Sequence, residues 1–269
     1  MKKLAVFGNP VAHSLSPTIH QMFAKSCGEI ISYTKIECAP ASFAQSISDF
    51  FLDPQAVGCN ITMPFKQEAY RLTQAHCDPY AEYAEAVNTL FYNEKLCGYN
   101  TDGIGLVSDL IAQVSSLQGS SVLLIGAGGA ARGVVVPLLD AGVKELYISN
   151  RTGEKAQRLV EQFSRNEVQA ILTDELTSKK FDVVVNCTSA SLHNQLPDLG
   201  RLNLGNCELV YDMVYGSQPT VFMDYASTNG APRVSDGLGM LVGQAAEAFY
   251  VWTGKRPDTA EVQVALRTG

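Results

Sequence analysis

Val122-Leu-Leu-Ile-Gly126-Ala127-Gly128-Gly129-Ala130-Ala131-Arg-Gly133 is the stretch on which the reading of the fold turns. Ser121–Ile125 is a short apolar run of the kind that forms a strand buried on both faces. Glycines follow, and Val134–Leu139 resumes with apolar residues at helical spacing. In a strand–glycine–helix unit each small residue has a task. Gly126 permits the tight turn, Gly128 lets the backbone approach a pyrophosphate, and Ala131 lets the helix pack against the strand. Unpaired N–H groups at the helix start face the anion. The same pattern also occurs as a plain glycine turn in α/β proteins. Here strand, glycines and helix stand in the order a nucleotide site requires.

The next strand, Glu145–Ser149, bears on which dinucleotide such a turn would hold. The NAD fingerprint places an acid about 20 positions beyond the glycines, where it binds a ribose 2′-hydroxyl and repels a 2′-phosphate. This strand ends instead in Asn150-Arg151-Thr152, with Lys155 one turn further on. Arg151 offers a planar fork to phosphate, Thr152 a hydroxyl and Lys155 a further positive charge. A solvated arginine after a strand is the competing reading. Taken with the glycine turn, these residues predict NADP rather than NAD.

A chain of 269 residues can form two domains, each with its own core. Its 46% hydrophobic and 17% charged residues are the balance of a globular protein, not a disordered one. A net charge of −7 leaves no broad basic face for nucleic-acid phosphates, so nucleic acid is not an expected partner. The N-terminal Met1-Lys2-Lys3-Leu4-Ala5-Val6-Phe7-Gly8 is too short for a signal-peptide core and reads as the first strand. No apolar run approaches a membrane span. Cys27, Cys38, Cys59, Cys77, Cys97, Cys187 and Cys207 are scattered singly, without zinc-ligand spacing, so no metal site is expected. Dispersed thiols fit a reducing compartment, and the cytoplasm is the expected location.

No internal repeat or low-complexity segment is evident. The first hundred or so residues alternate strand and helix patterns: strands at Leu4–Phe7, Ile31–Ile36 and Val57–Ile61, and helices over Pro17–Cys27, Ala41–Phe51, Pro64–Leu72 and Asp78–Ala86. Thr89–Tyr92 and Leu96–Tyr99 fit a hairpin around Asn93-Glu94-Lys95. This predicts an α/β domain over residues 1–102 with a mostly parallel sheet. A helix over Ile104–Val114 leads into a second domain, residues 103–236, with strands at Ser121–Ile125, Glu145–Ser149, Ala170–Leu172, Asp182–Asn186, Leu209–Asp212 and Arg233–Ser235. Six strands suit a Rossmann-type, doubly wound dinucleotide domain. Residues 237–269 return to helix: Leu238–Thr253 ends at Gly254 as a C-cap, and a short helix follows Pro257. With no strand of their own, these helices are expected to pack back on the first domain.

Polar residues gather at the strand ends of the first domain, where open α/β sheets place ligands. Ser14 and Ser16 precede a helix and can both reach an anion such as a carboxylate, although Ser16 can equally serve as a helix N-cap. Asn60 and Thr62 alternate along a strand end, Pro64 suits a helix start, and Lys66 falls in that helix's first turn. A cation there opposes the helix dipole, which marks Lys66 out from an ordinary surface lysine. Asn88 and Thr89 open a strand, and Asn100-Thr101-Asp102 close one; Asp102 can act as an N-cap. Exchange between an alcohol and a ketone with a nicotinamide needs a hydride acceptor and a group that moves the hydroxyl proton. Lys66 held by Asp102 meets the second need better than His13, His20, His76 or His193, none of which has an evident acidic companion.

Gly8-Asn9-Pro10, Ser14-x-Ser16-Pro17, Asn60-x-Thr62-x-Pro64-x-Lys66, Ala86-x-Asn88-Thr89, Asn100-Thr101-Asp102-Gly103, the glycine turn, Asn150-Arg151-Thr152 and Asp236-Gly237-x-Gly239-Met240-Leu241 occur in order over nearly the whole chain. Their combination resembles the bacterial, NADP-dependent shikimate dehydrogenases. The resemblance implies reversible reduction of 3-dehydroshikimate to shikimate by a monomer or homodimer, with Lys66 and Asp102 as the catalytic pair. It implies that Ser14 and Ser16 bind the substrate carboxylate with Tyr215 nearby, and that Thr62, Asn88 and Gln244 contact its hydroxyls. Gly126, Ala127, Gly128, Gly129 and Ala130 would hold the pyrophosphate. Asn150, Arg151, Thr152 and Lys155 would hold the adenosine ribose and its 2′-phosphate, and Thr188, Met213 and Gly237 would lie along the nicotinamide half. The chain departs from the family at Cys187, where alanine is usual, and at Ala190-Ser191-Leu192-His193. These positions lie along the cofactor and bear on its affinity more than on the reaction. Two other readings stand beside this one: a relative that accepts quinate or prefers NAD, and a non-catalytic sensor that keeps the fold.

Overall fold

The apolar run behind the two N-terminal lysines forms β1 (Lys2–Gly8), the strand on which the first sheet is built. The computed structural model describes residues 1–268. After β1 come α1 (Ser16–Cys27), β2 (Ile31–Glu37), α2 (Phe43–Phe51), β3 (Ala56–Ile61), α3 (Lys66–Thr73), α4 (Pro79–Ala84), β4 (Thr89–Asn93) and β5 (Lys95–Tyr99). The sheet order is β2-β1-β3-β4-β5. β1 runs parallel to β2 and β3, while β3–β4 and β4–β5 pair antiparallel. The parallel strands need helical crossovers; the last two need only a turn. That turn is tighter than the three-residue loop expected, because Asn93 pairs with Lys95 and Glu94 takes a φ of 61° between them.

Several helix boundaries depart from the sequence pattern: α1 begins one residue early at Ser16, and α2 begins at Phe43 rather than Ala41, after a short 3₁₀ turn. α3 begins at Lys66 rather than Pro64, because the Phe65 N–H donates to the Thr62 carbonyl and closes residues 62–65 into a turn. α4 is shorter than Asp78–Ala86. Asp78 caps it by accepting from the Ala81 N–H at 2.8 Å, and Glu85 ends it in the left-handed region at φ 49°. The core of this unit joins sheet and helices through Phe7, Phe43, Ile61, Phe65 and Leu90, with Phe43 stacked on Phe65 at 4.5 Å.

α5 (Asp102–Val114) leads to β6 (Ser121–Ile125), α6 (Gly129–Asp140), β7 (Glu145–Ser149), α7 (Gly153–Phe163), β8 (Val168–Ala170), β9 (Val183–Asn186), β10 (Leu209–Asp212), α8 (Val221–Thr228) and β11 (Val234–Ser235). These six strands form one sheet in the order β11-β10-β9-β6-β7-β8, parallel throughout. It is the Rossmann-type, doubly wound arrangement, with the strand order reversing between β6 and β9. The strand placed at Ala170–Leu172 is instead Val168–Ala170. Ile171 is drawn into the core, and Leu172 is turned to solvent ahead of a 3₁₀ turn.

Two helices close the chain, α9 (Leu238–Thr253) and α10 (Ala260–Thr268), with Gly254 ending α9 at φ 72°. The chain divides into two compact units, Met1–Gly105 with the tail from Val242, and Leu106–Leu241. Both boundaries fall inside helices, so α5 and α9 each begin in one unit and continue in the other. The sequence pattern placed them at 102 and 236, where composition changes.

The tail docks on the first sheet through Trp252, which is 4% exposed and donates its indole N–H to the Leu90 carbonyl at 2.9 Å. Gly58 makes this possible, since a Cβ there would stand 2.1 Å from the Trp252 Nε1. Glu29 adds a clasp, holding Lys2 at 2.6 Å and Lys255 at 2.7 Å, and the two ammonium groups bring its carboxyl down to about 2. Trp252→Ala is expected to destabilise this unit by about 3–5 kcal/mol, read as a shift in the urea unfolding midpoint followed by circular dichroism.

Candidate active site

Lys66, the first residue of α3, places its Nζ 2.5 Å from Asp102 Oδ2. Asp102 is the first residue of α5, two positions before the expected helix start, and its carboxylate is turned to Lys66 rather than spent on a cap. Its own N–H donates to Asn100 Oδ1 at 3.1 Å. Asn88, 1% exposed, donates from Nδ2 to Asp102 Oδ1 at 2.8 Å and to Thr101 Oγ1 at 2.9 Å, and lies 3.4 Å from Gln244 Oε1. Thr101 in turn donates to the Gln244 carbonyl at 3.0 Å. The outcome is a buried amide layer beneath a lysine–carboxylate pair that is still reachable, with side-chain exposures of 31% and 23%. The helix dipole opposes a cation at this position by about 0.3–1 kcal/mol, and a carboxylate in contact offsets it.

Ser14 and Ser16 come together at the start of α1. Their hydroxyl oxygens are 3.1 Å apart, and the Ser16 N–H donates to Ser14 Oγ at 3.3 Å. The expectation that Ser16 could be the N-cap is corrected: Ser16 lies within the helix, and Ser14 accepts its amide. Thr62 is half-buried, with its methyl so close to Gly8 that a Cβ on the glycine would meet it at 2.5 Å.

Beneath these hydroxyls lies Asn60, whose orientation follows from its partners. Its Nδ2 donates to the Asn88 carbonyl and to Thr89 Oγ1, so its Oδ1 accepts from Tyr33 Oη at 2.6 Å and from His20 Nε2 at 3.2 Å. His20 therefore carries its proton on Nε2, and its buried Nδ1 has no partner among the described residues. The ring stacks on Tyr33 at 4.7 Å and lies against Phe23, Phe249 and Trp252. Burial lowers its pKa to about 3 despite the Asn60 bond, so it stays neutral. It is a core residue.

In the second unit the glycine turn leaves β6. Gly126 has φ 111°, in the left-handed region that favours glycine, and its N–H donates to the Ser149 carbonyl at 2.7 Å. A Cβ on Gly126 would meet the Thr188 methyl at 2.9 Å. Gly128 caps α6 without a side-chain bond, and Gly128, Gly129 and Ala130 are exposed. The space that a Cβ on Gly128 or Gly129 would enter is open. Ala127, between Gly126 and Gly128, is half-buried. An uncapped helix start behind an open glycine cradle fits a pyrophosphate. At the end of the neighbouring β7, Asn150 Nδ2 donates to the Thr152 carbonyl at 2.9 Å, and Arg151, Thr152 and Lys155 are exposed. This set fits a 2′-phosphorylated ribose beside the cradle.

On the other side of β6, Asn186 Oδ1 accepts from the Thr188 N–H at 3.0 Å and its hydroxyl at 2.7 Å. The Gly237 N–H donates to the Val214 carbonyl, and Gly237 packs so closely on Met213 that a Cβ would meet the Met213 carbonyl at 2.1 Å. Tyr215 is exposed on this same unit, whereas Ser14, Ser16, Thr62, Asn88 and Gln244 belong to the first. Cys187 is buried, and burial pushes its thiol up, so it is an inert filler beside Thr188.

Family models match along the chain in order: a shikimate dehydrogenase substrate-binding domain over residues 6–90, a shikimate/quinate 5-dehydrogenase domain over 109–195 and a shikimate 5′-dehydrogenase C-terminal domain over 237–267. The NADP-dependent shikimate dehydrogenase of Alteromonas mediterranea is 50% identical over 99% of this chain and 96% of its own length. The chain belongs to the shikimate dehydrogenase family. Among solved structures, an Ael1 enzyme from Pseudomonas putida superposes with a TM-score of 0.95 at 39% identity, over 100% of this chain and 99% of that one. The Thermus thermophilus shikimate 5-dehydrogenase, solved with NADP(H) and shikimate, superposes at 0.87 with 32% identity over 99% of each chain.

The residues named from the family motifs do not include every buried polar group beside them. Tyr33, Asn186 and Asp212 are buried polar residues absent from the sequence-based set. Asn186 and Asp212 had a signal, since each closes an otherwise apolar strand; Tyr33 had none. His20 also yields a pH signature. The unfolded chain protonates this ring near 6.5 while the folded chain does so near 3, so stability falls as pH drops through that window. The slope is about 1.4 kcal/mol per pH unit for one proton. In urea titrations followed by Trp252 fluorescence, His20→Gln is expected to flatten this part of the profile.

Proposed function

We propose that this chain is an NADP-dependent shikimate dehydrogenase that interconverts 3-dehydroshikimate and shikimate, with Lys66 and Asp102 as its catalytic pair. The observation that carries the reading is the half-exposed Lys66 ammonium held 2.5 Å from Asp102 above the Asn88 amide layer. NADPH supplies the hydride that reduces the substrate carbonyl carbon. Lys66 Nζ gives a proton to the oxygen that gains negative charge, and takes it back from the hydroxyl in the reverse direction. Asp102 orients the ammonium, and Asn88 keeps the carboxylate from rotating away. Ser14 and Ser16 hold the substrate carboxylate, with Tyr215 assigned to the same group by the family resemblance, while Thr62, Asn88 and Gln244 take its hydroxyls. Gly126, Ala127, Gly128, Gly129 and Ala130 hold the pyrophosphate. Asn150, Arg151, Thr152 and Lys155 hold the phosphorylated ribose, and Thr188, Met213 and Gly237 line the nicotinamide half.

The substrate is a small acid; among the described residues no helix is long and apolar enough to cross a membrane. The enzyme works in the cytoplasm as a monomer or homodimer in this reading. The deciding experiment follows NADPH formation from shikimate and NADP⁺, with quinate and NAD⁺ in parallel arms. Turnover is expected with shikimate and NADP⁺. Faster turnover of quinate would move the substrate assignment, and none with any pair despite NADP⁺ binding would favour the sensor.

Lys66→Ala is expected to lower kcat by about 10²–10⁴-fold with the NADP⁺ Kd unchanged, since its group acts in proton transfer alone. An equal loss in both would contradict the assigned role. Arg151→Ala is expected to weaken NADP⁺ more than NAD⁺ in calorimetric titration, because the fork it supplies has no partner in the unphosphorylated ribose.

A further inference from the structure

Asp212 ends β10 with no exposed surface, and its side chain accepts from four neutral groups. Oδ1 takes the Asn186 Nδ2 at 3.0 Å and the Val214 N–H at 3.1 Å. Oδ2 takes the Ser191 hydroxyl at 2.6 Å and the Thr220 hydroxyl at 2.7 Å. Four donors fill the lone pairs of an ionised carboxylate, and the amide and backbone groups among them can only donate. Burial pushes this carboxyl up, and the four donors offset only part of that rise. None of the four neutralises a negative charge.

The position of this carboxylate in the sheet gives it a use. The glycine cradle lies at the end of β6, and the phosphate-binding set lies beside it at the end of β7. A dinucleotide crosses the carboxyl ends of such strands, so its second half extends the other way, over β9 and β10. Asp212 binds the groups that shape that side. Through Asn186 it sets Thr188, whose hydroxyl is then committed to Asn186 Oδ1 and to the Ala190 N–H. Through Val214 it sets the carbonyl that receives Gly237, and through Ser191 and Thr220 it joins the following loop to the start of α8. The oxidised nicotinamide carries a positive charge and the reduced ring none.

We propose that Asp212 is a positioning residue whose fixed negative charge beneath the nicotinamide half favours the oxidised over the reduced cofactor. This rests on the NADP reading above and adds to it a redox preference built into the protein.

The test measures Kd for NADP⁺ and NADPH by calorimetry, without substrate, in the wild-type chain, Asp212→Asn and Ser191→Ala. The last keeps the charge and removes one donor. In Asp212→Asn the ratio Kd(NADP⁺)/Kd(NADPH) is expected to rise by about fivefold or more, as loss of a nearby charge in a low-dielectric site requires. In Ser191→Ala both constants are expected to weaken together. Should Asp212→Asn fail to fold, Asp212→Ser leaves room for water beside the donors and gives the same comparison. An unchanged ratio in the folded neutral variant, with both constants moved equally, would show a purely structural role and overturn the proposal. A wild-type chain that bound neither cofactor would instead overturn the NADP reading itself.

Discussion

Strands covered on both faces have no place along their length for a polar side chain, which would lose its water without gaining a partner. In both sheets of this protein the chemistry is therefore confined to strand ends. β3 ends in Asn60, Ile61 and then Thr62, β9 in Asn186, β10 in Asp212 and β6 in the glycine turn. Each apolar run buys its burial by passing polar work to the residue that closes it. Parallel pairing brings the carboxyl ends of β6, β7, β9 and β10 to one edge of their sheet, so groups scattered over nearly a hundred positions of chain become neighbours.

Each unit answers the cost of buried polarity with a hub, and the two hubs differ in charge. In the first, Asn60 receives two donors and gives two, every bond joins neutral groups, and burial keeps His20 neutral. This layer places no charge beside the paired hydroxyls of Ser14 and Ser16, which suits the carboxylate proposed for them. In the second, Asp212 takes four donors, and its charge is spread over bonds rather than paired with a cation. A neutral platform suits a carboxylate, and a negative one suits a cationic ring. The contrast follows from chemistry at the strand ends, not from the strands, which are alike.

The Lys66–Asp102 pair shows how the remaining charges are handled. Neither group is deeply buried, which spares both the full desolvation penalty. Their orientation comes from below, where Asn88 and Asn100 fix both the carboxylate and the backbone that carries it. Asn100 is itself fixed by Asp78, whose Oδ1 accepts its N–H at 3.1 Å. Burial brings that carboxyl up to about 6, well above the ordinary carboxylate range.

Much of this was legible in the chain because it is local. A strand, a glycine turn and a helix are specified within a dozen residues, and the exposed polar set Asn150-Arg151-Thr152 stands directly at the end of the next strand. β6, β7, β10 and α9 fell where periodicity put them, since their apolar patterns end sharply in polar residues or glycine. The start of α3, the extent of α4 and the place of β8 shifted, because turns and caps depend on partners that a pattern does not contain. The contact of Lys66 with Asp102 was expected from the chemistry of the two groups, whereas the bonds of Asn88 to Asp102, Thr101 and Gln244 were not. What only the tertiary structure decided is which other distant groups meet: Asn88 with Gln244 across 156 positions, Asn60 with Tyr33 across 27, and Asn186 with Asp212 across 26. The order and register of strands set those meetings, and a hydrogen bond between remote residues leaves no periodic trace in sequence.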